Sequence, residues 1–75
     1  MMEEQTILIQ TQTIKLDQFL KLTAEAMSGG EAKRMIQERM VLVNGEICQM
    51  RGKKLTAGDC VIVNQTKYVI GYAVT

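Results

Sequence analysis

The sequence predicts an α+β fold in which a helix–turn–helix pair packs on a small, mostly antiparallel sheet. Three observations carry this expectation. Two stretches space their apolar residues at three and four: Leu16, Phe19, Leu20, Thr23 and Met27 in the first, Ala32, Met35, Ile36 and Met40 in the second. Ser28-Gly29-Gly30 between them makes the pair a helix–turn–helix unit. Short runs rich in β-branched residues flank the pair, and the order strand, two helices, several strands is that of helices laid on an antiparallel sheet.

Residues 1–5 are polar or terminal, and they are expected to fray. Residues 6–13 (T-I-L-I-Q-T-Q-T) alternate Ile7 and Ile9 with polar neighbours, as an edge strand does. The first helix begins at Leu16, with Asp17 in its first turn suiting the positive end of the helix dipole and Gln18, Lys21 and Glu25 on the outer face. Glycines at 29 and 30 then let the chain turn sharply without a Cβ penalty. Ser28 and Glu31 have the spacing of a capping box at the start of the second helix. That helix runs to about Arg39, where glycine in the left-handed conformation is the common exit. Arginine held left-handed there costs on the order of 1 kcal/mol.

Beyond it, Val41 and Val43 share one face of a strand, and Asn44-Gly45 is the pair favoured by a two-residue hairpin turn with positive φ at both positions. Residues 46–48 return as a strand, and residues 49–54 form a polar, basic loop. Gly58-Asp59 marks a turn before the apolar strand 60–63, residues 64–67 make another turn, and residues 68–74 are the last strand.

With 75 residues the chain has material for one small domain, spanning 1–75, because a chain of this size buries only about 60% of its unfolded surface. Nine basic residues against eight acidic ones do not by themselves announce nucleic acid. Their placement does more, since Lys33, Arg34, Arg51, Lys53 and Lys54 fall in two short clusters. Histidine is absent and there are two cysteines, so the chain assembles neither a zinc site of usual spacing nor a Cys/His nucleophile pair. Cys48 and Cys60 are expected to be buried or half-buried free thiols in a reducing cytoplasm. No run is long and apolar enough for a membrane span, and the N-terminus lacks the order of a signal peptide, so the expected location is cytoplasmic.

Two places invite an anion. At the start of the second helix, the N–H groups of Gly29, Gly30 and Glu31 meet the positive dipole end, with Lys33 and Arg34 one turn later. The plainer reading is that Ser28 and Glu31 already satisfy two of those groups. Arg51, Lys53 and Lys54 surround a glycine on a loop able to neutralise phosphates, or simply solvated; Lys15 and Lys21 extend the patch if they share its face. Catalysis has little to use, because no acidic pair stands in an apolar setting and no P-loop or dinucleotide fingerprint occurs. With Phe19, Tyr68 and Tyr72 as the only aromatics, a stacking platform for bases is not expected, and recognition falls to shape and backbone.

In order, I-K-L-D-Q-F-L at 14–20, E-A-K-R-M-I at 31–36, V-L-V-N-G at 41–45 and K-L-T-A-G-D at 54–59 resemble the S-four RNA-binding domain. That domain is named after ribosomal small-subunit protein four, and the chain looks most like its small stand-alone bacterial members. The resemblance implies the family's αL-motif fold and a non-enzymatic, ribosome-associated module that grips structured RNA, ribosomal or transfer. No cofactor, metal, membrane or small-molecule substrate is implied, and a monomer is expected. Carried over by position, Lys15, Lys33, Arg34, Lys53 and Lys54 match the family's basic positions, and with Gly29, Gly30 and Arg51 they make up the expected RNA-binding set. Gly30 stands where many members have arginine, and Arg39 where they have glycine. The rival readings are a protein-interaction or ribosome-assembly adaptor on the same fold, and a DNA-binding helix–turn–helix, which the second helix's lack of a base-reading array disfavours.

Overall fold

The structure, a computed structural model, describes residues 2–73. Strands β1 (Glu3–Ile9) and β2 (Ile14–Lys15) precede helices α1 (Leu16–Leu22) and α2 (Gly29–Gln37). Strands β3 (Val41–Val43), β4 (Glu46–Ile47), β5 (Lys54–Leu55), β6 (Cys60–Val63) and β7 (Thr66–Tyr72) follow. The main sheet has the order β1-β7-β6-β3-β4, with three antiparallel pairings and one parallel pairing, β1 with β7. The helices cover one face, and Leu16, Phe19, Leu20, Ala32 and Ile36 meet Val41, Val61, Val63 and Ile70 in a common core. Phe19 and Tyr68 pack edge to face with ring centres 5.8 Å apart, an arrangement worth about 0.5–1.5 kcal/mol beyond the area it buries.

The first strand lies at the sheet edge as expected, but earlier in the chain. It occupies Glu3–Ile9, and residues 10–13 bend away from it. Residues 3–5 are held instead of frayed, because β7 offers them a ladder: Glu3 N–H donates to the Gln65 carbonyl at 3.1 Å, and Glu4 meets Lys67 at 3.5 Å. Met1 and Val74, on which the expected fraying and the expected last strand also fell, lie outside the described residues.

The first helix is shorter than its apolar spacing implies. It ends at Leu22, capped by Thr23, whose hydroxyl donates to the Phe19 carbonyl. Ala24 takes a left-handed φ of 63°, and Met27 stands 82% exposed while Ala26 is buried in its place. The chain therefore turns over residues 23–28. Gly29 and Gly30 do not form the turn; they are the first two residues of α2.

Glu25, expected on an outer face, accepts hydrogen bonds from the Tyr68 hydroxyl and from Asn64 Nδ2, fastening the interhelix segment to the β6–β7 turn. Burial, followed by the Glu25 hydrogen bond and charge, pushes the Tyr68 hydroxyl up to about 12.

The start of α2 forms half of the expected capping box: Ser28 Oγ accepts from Glu31 N–H at 3.1 Å, while the return bond from Ser28 N–H to the Glu31 carboxylate is absent among the described residues. Its exit has Arg39 left-handed at φ 62°, with Arg39 N–H donating to the Ile36 carbonyl and Met40 N–H to that of Met35. That is a Schellman closure made without glycine.

Asn44-Gly45 turns with positive φ at both positions, and Asn64-Gln65 does the same between β6 and β7. Thr66 and Lys67 thus belong to the last strand and not to a turn. Cys48 lies just beyond β4, which ends at Ile47, and both cysteines are half-buried free thiols.

Candidate nucleic-acid interface

The expected loop at 49–54 carries structure of its own. Lys54 and Leu55 form β5 and pair antiparallel with Ile14 and Lys15 of β2, making a second, two-stranded sheet with Ile14 opposite Leu55 and Lys15 opposite Lys54. Leu55 points to the core; the two lysines are exposed. Two further bonds hold the loop to the start of α1: Leu16 N–H donates to the Lys53 carbonyl at 2.8 Å and Asp17 N–H to the Arg51 carbonyl at 3.1 Å. Both amides belong to the first turn of α1, which has no partner of its own for them. The loop supplies those partners, and so its cations are carried to the helix N-terminus, where Lys15 is the capping residue.

Four of the expected residues, Lys15, Arg51, Lys53 and Lys54, are thereby gathered at one edge. None of them makes an ion pair among the described residues, where the two salt bridges are Arg34–Glu38 and Lys67–Glu4. Two lysines directly opposite in a ladder repel, which is unfavourable in an empty protein. Asp17, the nearest acid in the chain, turns its Oδ1 to the Gln18 N–H.

The other four residues lie on α2. Lys33 and Arg34 are exposed on its outer side, opposite buried Ala32, Met35 and Ile36. Arg34 is engaged with Glu38 at 3.2 Å, one turn along, a surface pair worth about 0–1 kcal/mol and easily exchanged for an anion. Gly29 and Gly30 are exposed and helical. A Cβ would meet nothing within 4 Å at Gly29 and only Ser28 Oγ, at 3.9 Å, at Gly30, so neither glycine is required by space or backbone angle. Their effect is to leave the first amides of α2 uncovered.

Gln49 links the two groups in a way the sequence did not signal. Its Nε2 donates to the Gln37 carbonyl at 3.2 Å, tying the start of the basic loop to the C-terminal end of α2. The loop is thus bonded to both helices. Among the described residues no group of His, Cys, Asp and Glu could hold a metal ion, and no helix is long and apolar enough to cross a membrane.

A helix pair on a mixed sheet, with a cationic loop bonded across both helices, defines a small α+β module of the S-four type. The chain belongs to the S4 domain family, whose model matches residues 7–71. It is 51% identical over 55 residues to the probable ribosome maturation protein RlbA of Bacillus subtilis, covering 73% of this chain and 78% of that one. The crystal structure of 30S ribosomal protein S4e from Thermoplasma acidophilum has the same fold, with a TM-score of 0.60 at 20% identity over 80% of this chain. The chain spans about a third (32%) of that larger protein.

Proposed function

We propose that this protein grips the phosphate backbone of structured RNA, ribosomal or transfer, without chemistry of its own. The observation that carries the reading is the Lys15–Lys54 pair. Two like charges set face to face, with Arg51 and Lys53 on the same loop and no carboxylate bound to them among the described residues, are stabilised when a phosphate lies between them. Lys33, Arg34 and the uncovered amides of Gly29 and Gly30 add a second line of contact along α2. Membership of the S4 domain family and the relative named as a probable ribosome maturation protein support ribosomal RNA in the cytoplasm as the partner. A net charge of +1 gives little long-range steering, so affinity rests on close contacts and is salt-sensitive.

The test is affinity for folded ribosomal and transfer RNA fragments, and for duplex DNA, across a salt series. It compares the native protein with a variant in which Lys33, Arg34, Lys53 and Lys54 are changed to glutamate. The reading expects the salt slope to fall by about 3, at roughly 0.7–0.9 per lost phosphate contact. Native binding no tighter than the variant's overturns it, and preference for duplex DNA overturns the choice of RNA.

A further inference from the structure

Of the three aromatic residues, Phe19 is fully buried and Tyr68 is 4% exposed, but Tyr72 is 45% exposed at the end of β7. Tyr72 walls an open groove of about 530 Å³ together with Gln12, Thr13, Thr56 and Ala57. The size falls within the roughly 300–1,000 Å³ common to small-ligand sites. Its other walls offer an amide and two hydroxyls, which donate and accept hydrogen bonds.

The groove is continuous with the cationic edge. The ladder that sets Ile14 opposite Leu55 and Lys15 opposite Lys54 has Thr13 and Thr56 as the adjoining residues at its other end. Thr13 directly precedes β2 and Thr56 directly follows β5, and both line the groove. Thr13, Lys15, Lys54 and Thr56 are exposed, Ile14 is half-buried and Leu55 is buried. Each lysine is two residues from its threonine, a span of at most about 7 Å, within reach of one nucleotide.

We propose that this groove receives an unpaired nucleobase of the RNA held at the lysine pair, stacked on Tyr72 and hydrogen-bonded along its edge by Gln12, Thr13 and Thr56. The proposal rests on the backbone-grip reading above and adds to it a preference for a stem interrupted by a bulged or looped nucleotide. Folded RNA is read at such unstacked bases, and one exposed ring is enough to stack one base. Counting aromatics in the sequence argues against a platform of several rings; it does not bear on a site for a single base.

Fluorescence anisotropy tests this with two RNA hairpins of the same stem, one fully paired and one carrying a single bulged nucleotide. The native protein is expected to bind the bulged hairpin about tenfold more tightly, in keeping with the worth of one base stacked on an aromatic side chain. Tyr72→Ala is expected to lose that preference, Tyr72→Phe to keep it, and tyrosine emission to be quenched by the bulged hairpin alone. Equal native affinity for the two hairpins, or a Tyr72→Ala variant that keeps the preference, overturns the groove proposal and leaves the backbone grip standing. If neither hairpin binds, or if a variant with Lys15→Glu and Lys54→Glu binds both as tightly as the native protein, the grip itself is refuted and the groove proposal falls with it.

Discussion

Changing Lys54→Glu should stabilise the free protein and weaken its hold on RNA, two effects of opposite sign from one residue. Lys54 stands opposite Lys15 in a ladder of two pairs, with both side chains exposed. A cross-strand charge pair contributes roughly 0.2–1 kcal/mol, unfavourable for like charges and favourable for opposite ones. Reversing one charge therefore removes one such term and adds another, a gain of about 0.5–1.5 kcal/mol at low salt that shrinks as the Debye length shortens. For a domain of this size, about 1 kcal/mol raises Tm by roughly 4–8 °C. On RNA, the loss of one phosphate contact lowers the salt slope by about one, which at 0.1 M salt corresponds to roughly a tenfold loss of affinity before any repulsion is counted. Thermal unfolding at low and high salt, paired with RNA titration over the same series, reads both quantities. A Lys54→Glu variant that is less stable than the native protein at low salt refutes the repulsion argument; one that keeps full affinity and slope removes Lys54 from the interface.

The Tyr68 hydroxyl yields a pH prediction. Its folded pKa, pushed up to about 12 from an ordinary 10.0, means that the folded state holds its proton more tightly than the unfolded chain. The stabilisation is complete below pH 10 and is lost between about pH 10 and 12, by up to about 2–3 kcal/mol. In urea unfolding across that range, native stability should fall relative to that of Tyr68→Phe, and curves that stay parallel contradict the shift. At the helix exit, the left-handed backbone of Arg39 should make Arg39→Gly more stable than Arg39→Ala by about 1 kcal/mol. This reverses the usual order within a helix, and chemical denaturation of the two variants measures it directly.

Much of the fold is legible in the chain because the signals are local. Ser28 and Glu31 mark the start of α2 by a side chain reaching its own backbone, and Asn44-Gly45 marks the hairpin because those residue types tolerate positive φ. The apolar run at 60–63 after the Gly58-Asp59 turn marks a strand, which the structure buries on every second residue. At Arg39 the sequence posed a question, since the usual exit residue is glycine; the structure answers it with a left-handed arginine.

Only tertiary structure decided the rest, where a partner distant in sequence settles the outcome. Glu3 to Gln5 are ordered because β7, some sixty residues later, offers them a parallel ladder. The first helix stops at Leu22 and not at Met27 because Ala24 takes a conformation its side chain does not advertise, with Glu25 then caught by Tyr68 and Asn64. The residue types of the proposed site could be read from the sequence: Lys15, Lys33, Arg34, Arg51, Lys53 and Lys54 stood out as cations. Their assembly could not be read, because Lys15 meets Lys54 through a two-residue ladder too short to carry a periodic signal, and Gln49 and Tyr72 gain their positions only when the chain has folded around them.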